Sequence, residues 1–193
     1  MVKLQTMAIQ VTGFGPIEHF QVPPGWHGPY MSRPGDMRQR QEFFSDTVPG
    51  GAISLFYRGL PIEVQAAKLF KTFLESTPAP GTRELADSEK ASLSEILGPR
   101  NAGSNQFTQP EAPVFDLDSA KVGWLGKHSA LFVRGRFNQS DEGQENSEFC
   151  GVFLPSGPHG REIFEIFLQA PGLQSFEKCS ADFESTLQSL VLR

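Results

Sequence analysis

Cysteine is nearly absent: Cys150 and Cys179 are the only two among 193 residues. With no CxxC spacing they build no zinc framework. A disulfide between them would need Cα atoms within about 7 Å, which the sequence leaves open. Cys150 falls in a predicted strand and Cys179 on the apolar stripe of the last predicted helix, so both read as buried thiols acting as small hydrophobes. Tryptophan and tyrosine are scarce, two of each against 17 phenylalanines, so the aromatic content is core-building material. Positive charge is also in deficit. A net charge of -5 with pI ≈ 5.4 argues against nucleic acid or an anionic membrane surface as a partner. The amino-terminal residues lack the roughly 7–15-residue apolar stretch of a secretory leader. No later run approaches the ~18 residues that cross a bilayer. The expected location is the cytoplasm, with no membrane span.

What is present is a large and uneven apolar content. At 193 residues and 38% hydrophobic the chain suits one large domain. Residues 137–193 hold nine Asp/Glu against three Lys/Arg, whereas residues 1–60 hold four against five. The carboxyl-terminal third is therefore read as a mildly acidic solvated surface. Its segment Arg161–Ala170 is apolar on both faces, with Phe164, Ile166 and Leu168 on one side and Ile163 and Phe167 on the other. Such a strand must lie in a sheet covered on both faces. After a Pro171-Gly172 turn, Phe176, Cys179, Phe183, Leu187 and Leu190 recur at helical spacing and supply part of that cover.

Residues 1–16 read as a lead-in segment ending at Gly13-Phe14-Gly15-Pro16, and residues 17–193 as one domain. Ile17–Val22 is a predicted strand. Arg38–Ser45 and Ala52–Gly59 are predicted antiparallel strands joined around Pro49-Gly50-Gly51. Pro61 suits the first position of a helix running to about Ser76. A second helix is capped by Asp87 or Ser88 and stopped by Gly98-Pro99. Arg100–Leu117 is polar and contains proline, so it reads as a long loop or an edge excursion. Strands follow at Ser129–Phe137, Phe149–Leu154 and Arg161–Ala170, the first two separated by Asn138–Ser147, a tract that can form no core. The expected fold is α/β (α+β): a single α/β/α sandwich with a mostly antiparallel sheet and helices on both faces.

Three features resemble the PsbP/DcrB-like superfamily, which includes photosystem extrinsic subunits, bacterial envelope lipoproteins and a Ran-binding import factor. They are Val22-Pro23-Pro24-Gly25-Trp26, the hairpin before the first helix, and the closing strand with Ala170-Pro171 and a helix ending Phe183-Glu184-Ser185-Thr186-Leu187-Gln188-Ser189-Leu190. The resemblance covers about residues 17–190. It implies an antiparallel-rich sheet between helices and a binding or assembly role without catalysis. No lipoprotein cysteine is present, and no functional residue carries over.

No motif assembles a reactive centre. Gly13-x-Gly15 lacks the third glycine of a dinucleotide fingerprint, and Gly123-Trp124-Leu125-Gly126-Lys127-His128 lacks the first-glycine spacing and hydroxyl of a P-loop. The latter reads as a turn before a strand. His19, His27, His128 and His159 show no paired spacing for a metal. Ser156-Gly157 lies in a hairpin turn rather than a nucleophile elbow. A Cys150–His159 pair is disfavoured by burial of the thiol. Asp116 and Asp118 would share a face of an extended segment but read as a solvated loop. The stretch from Trp26 to Arg33, followed by Arg38 and Arg40, gathers aromatic and basic side chains of the type that dominates binding hot spots. Trp26, His27, Tyr30, Arg33, Arg38 and Arg40 are the candidate recognition residues; the plainer reading has Trp26 capping the edge of the core with the arginines solvated.

The function expected from the residues is a non-catalytic module binding another protein or a small ligand, with no cofactor and no metal. Two alternatives stand beside it. One is a small hydrolase or metal-dependent enzyme using Asp116, Asp118 and a histidine brought together by the fold. The other is a secretion-associated chaperone with a concave apolar patch.

Overall fold

The computed structural model describes residues 7–31, 39–57, 64–97, 114–138, 146–156 and 160–193. The strands are β1 Ile9–Phe14, β2 Ile17–Val22, β3 Trp26–Met31, β4 Gln39–Ser45, β5 Ala52–Tyr57, β6 Arg83–Glu84, β7 Val114–Leu125, β8 His128–Asn138, β9 Ser147–Ser156, β10 Glu162–Pro171 and β11 Val191–Leu192. The helices are α1 Val64–Glu75, α2 Asp87–Leu97 and α3 Gly172–Gln188. The architecture is mixed α/β with antiparallel sheets. No helix among the described residues is long and apolar enough to cross a membrane.

Eight strands form one sheet in the order β3-β4-β5-β10-β9-β8-β7-β6, and β1-β2-β11 form a second, smaller sheet. The expected lead-in is corrected in part: β1 pairs with β2 from Ile9↔Val22 to Phe14↔Ile17, the chain reversing at Gly15-Pro16. Val11 and Phe14 both reach the core although they are three residues apart, Gly13 between them being left out of the pairing with β2. The expected loop at residues 100–117 is corrected at its end, since β7 begins at Val114 and pairs with β8 along its whole length. Its polar Asp116-Leu117-Asp118 hides a strand because only alternate residues meet the core, and a register shift between Leu117 and Ser119 breaks the alternation.

The two-faced strand sits as its pattern requires, with β5 on one side and β9 on the other. Phe164, Ile166 and Leu168 cluster with Phe176, Cys179 and Phe183 of α3, and with Phe14, Ile17, Phe20 and Val22 of the small sheet. Ile163 and Phe167 join a second cluster with Phe70, Phe73 and Leu74 of α1 and Leu93 of α2. Each such buried side chain contributes about 1.5–3 kcal/mol. Phenylalanine rings meet in edge contacts between the two sheets, as in the pair of Phe20 on β2 and Phe43 on β4 at 5.9 Å and 88°.

The start of α2 differs from expectation. Neither Asp87 nor Ser88 caps it; instead the Ala86 carbonyl accepts from Glu89 N and Lys90 N, each at 2.9 Å. Glu89 Oε2 reaches back to accept from Ala86 N at 2.8 Å, half of a capping box. The same carboxylate receives both terminal nitrogens of Arg83, at 2.7 and 3.0 Å. The Arg83 hydrogen bonds, and then the Ala86 N–H, hold the Glu89 carboxyl below its ordinary value of 4.5. A carboxyl depressed on folding adds stability above its unfolded value and loses it as pH falls through its lower folded value. Glu89→Gln should therefore destabilise by about 1 kcal/mol or less at pH 7, the pair being partly solvated. Urea unfolding of both proteins from neutral to acid pH should show the difference vanishing well below pH 4.5; a gap that persists there would assign the effect to packing.

Candidate functional site

The stretch expected to be a recognition loop is strand β3, on the edge of the large sheet. Trp26 faces inward and is only 1% exposed. Its Nε1 donates to Asp182 Oδ2 of α3 at 2.8 Å, so the ring fastens the helix to the sheet. This corrects its assignment to a binding surface. A register irregularity between His27 and Tyr30 then turns both onto the outward face, opposite Phe44 and Glu42 of β4. His27 and Tyr30 meet edge-on at 5.9 Å, and Tyr30 contacts Phe44 at 5.5 Å. His27 Nδ1 lies 2.6 Å from Asp46 Oδ1. On β4, two residues before Glu42 and four before Phe44, Arg40 pairs with Glu42 Oε1 at 2.7 Å and lies over the Phe167 ring at 5.6 Å. The structure thus groups His27, Tyr30 and Arg40 on one face and removes Trp26 from it. Arg33 and Arg38 lie outside the described residues, as does His159.

The carboxylates of the hydrolase alternative stand on β7, and Asp118 Oδ1 accepts from Arg136 Nη2 at 3.2 Å. Among the described residues no group of three or more His, Cys, Asp or Glu is placed to hold a metal. Cys150 and Cys179 are both unbridged. Burial raises each thiol above its ordinary value, the environment of a structural rather than a nucleophilic cysteine. Cys179 is buried as expected, while Cys150 is only partly so and packs against the first core cluster.

A different place in the fold has the geometry of a site. Gly126-Lys127 is the two-residue connection of the β7–β8 hairpin, with Leu125 opposite His128 and Trp124 opposite Ser129. Gly126 adopts φ 61, a left-handed conformation that only glycine takes without strain. The hairpin end abuts the small sheet, and between them lies a cavity of about 360 Å³ lined by Pro16, Trp124, Lys127, His128, Ser129, Leu154, Pro155, Leu192 and Arg193. Arg193 is placed by its N–H, which donates to the Pro16 carbonyl at 3.0 Å.

Two of the lining side chains carry a buried polar atom with no hydrogen-bond partner: Trp124 Nε1 and His128 Nε2. Each such atom costs about 1–3 kcal/mol when left unsatisfied; neither is reachable by water, so both are turned into the protein and away from the cavity. Burial, and next the charge of Lys127, hold His128 below its ordinary value of 6.5. The imidazole is neutral at pH 7, with one nitrogen donating and one accepting. The sequence pattern of this hexapeptide, a turn before a strand, is what the structure shows at Gly126-Lys127. The signal available was the crowding of Trp124, Lys127 and His128 around a tight hairpin; the apolar walls come from β9, β11 and the β1–β2 turn, which no local pattern connects to it. Comparison with protein-family models and with curated proteins found no match for the chain.

Proposed function

We propose that the protein is a non-catalytic ligand-binding module of the PsbP/DcrB-like type, acting in the cytoplasm without a cofactor. In this reading it is a single α/β/α sandwich with helices on both faces of the large sheet. Its ligand occupies the cavity between the β7–β8 hairpin and the small sheet. The observation that carries it is the cavity itself, about 360 Å³ between the β7–β8 hairpin and the small sheet, with Lys127, Ser129, Leu192 and Arg193 among its lining residues. The volume lies at the small end of the range for ligand sites, about 300–1,000 Å³, and the lining sets Lys127, His128, Ser129 and Arg193 beside Pro16, Pro155 and Leu192. The outward face with His27, Tyr30 and Arg40 serves here as a solvated edge of the sheet, its charges engaged with Asp46 and Glu42.

The chain holds only two tryptophans, which makes the test direct. Indole N–H resonances of Trp26 and Trp124 are followed while N-methylacetamide, benzamide, benzoate and inorganic phosphate are added in turn. At least one probe should move the Trp124 signal saturably and leave Trp26, already bonded to Asp182, in place. A Trp124 signal unmoved by all four would overturn the reading.

A further inference from the structure

We infer that residues 189–193 form a displaceable strap that closes the outer edge of β2 against a second copy of this chain, with Ser189 as its latch. The small sheet runs β1-β2-β11. β1 pairs with β2 from Ile9↔Val22 to Phe14↔Ile17. The other side of β2 carries the two-residue β11, with Val191 opposite His19, Leu192 opposite Ile17 and a register shift between them. One step further along β2, Gln21 meets a side chain instead of a strand. Ser189 Oγ accepts from Gln21 N at 2.8 Å and lies 3.2 Å from the Gln21 carbonyl oxygen. The nearest acceptor for its own proton is the Thr186 carbonyl in the last turn of α3, at 2.7 Å. At the far end Arg193 N donates to the Pro16 carbonyl at 3.0 Å. The strap thus satisfies backbone groups that would otherwise be a template for another strand.

The strap is built to open before the strand it covers. Val191 is 38% exposed, and Leu190 and Leu192 only flank the first core cluster. Ile17, Phe20 and Val22 of β2 are fully buried within that cluster. Local opening draws on the least buried contacts, so the strap lifts while β2 keeps its place. The bared edge is complementary to itself. Backbone groups at positions 17, 19 and 21 point the same way, because they alternate along a strand. Antiparallel pairing about a two-fold axis at His19 sets Ile17 of each copy against Gln21 of the other, the reciprocity an isologous contact requires. Glu18, the one carboxylate of β2, then faces Phe20 of the other copy, so no like charges are opposed.

Amide hydrogen exchange on the full chain tests the latch. Gln21 should exchange about tenfold or more faster than Phe20, whose backbone faces Val11 of β1. Ser189→Ala should speed Gln21 by about a further fivefold, the worth of one hydrogen bond, and leave Phe20 unchanged. Ser189→Thr keeps the hydroxyl and should keep the original rate. The Ser189→Ala/Leu190→Ala protein is then followed by sedimentation equilibrium over a wide range of concentration. Its mass should rise toward double, with Gln21 protected again in the larger species, while the unaltered chain keeps a constant mass. The Trp26 indole resonance reports that each variant is folded. Equal exchange of Gln21 in the Ser189→Ala and unaltered chains would overturn the inference. So would a constant mass for the double variant, or a dimer in which Gln21 still exchanges freely.

Discussion

Replacing Trp26 by alanine is expected to lower stability by about 3–5 kcal/mol, the usual cost of removing a large buried aromatic side chain. The ring is among the largest fully buried side chains of the protein and packs in the cluster with Phe20, Phe43 and Phe176. Its loss also strands the Asp182 carboxylate, which accepts its N–H at 2.8 Å. Trp26→Phe separates the two contributions. Most of the apolar volume stays, and the cost should fall to about 1–3 kcal/mol, the penalty for an unsatisfied polar partner. Combining Trp26→Phe with Asp182→Ala should cost less than the sum of the two single changes, because the pair acts as one unit. Guanidinium unfolding followed by circular dichroism measures all of these. A Trp26→Ala protein of unchanged stability would refute a structural role and return this residue to the recognition surface.

Gly28→Ala is the second change with a large expected effect. An added Cβ would stand 2.6 Å from the Glu42 carbonyl oxygen and 3.1 Å from Cδ1 of Phe43. Both neighbours belong to β4, and Phe43 is fully buried, so neither can move aside without breaking the strand pairing. Overpacking of this kind costs about 1–3 kcal/mol. The backbone at φ +143 adds strain for any residue with a side chain, again about 1–3 kcal/mol. Gly25→Ala is the natural control: its φ is +95 but nothing lies within 4 Å of the added carbon. It should lose the strain alone. Melting temperatures of the two variants therefore isolate the steric part, and a Gly28→Ala protein as stable as Gly25→Ala would refute the close approach of β3 to β4.

The same segment shows where sequence reading succeeds and where it stops. The β4–β5 hairpin, β8, β9, β10 and α3 were legible because each buries a periodic set of large apolar residues. Ile53 and Leu55 of β5 face one cluster while Phe56 packs against the other, as the alternation requires. Strand β3 was illegible because Gly28-Pro29 has the punctuation of a turn, yet the edge of a sheet is where proline is tolerated. Its register slip also erases the period of two that marks a strand. The start of β7 was hidden by a similar shift beside polar residues. Trp26 was misassigned for a different reason: composition reveals that a tryptophan is valuable but not which side of a strand it faces. That side is fixed by Asp182, 156 positions away in the chain.

The cavity draws its walls from four widely separated stretches: Pro16, residues 124–129, residues 154–155 and residues 192–193. In the unfolded chain these stretches share no neighbourhood, so an occupant has nothing to hold until the whole molecule has closed. Every increment of its affinity therefore appears undiminished as resistance to unfolding, about 2.7 kcal/mol at a concentration one hundred times the dissociation constant. If the proposed ligand binding holds, the amount of folded protein in a cell would follow the supply of that ligand.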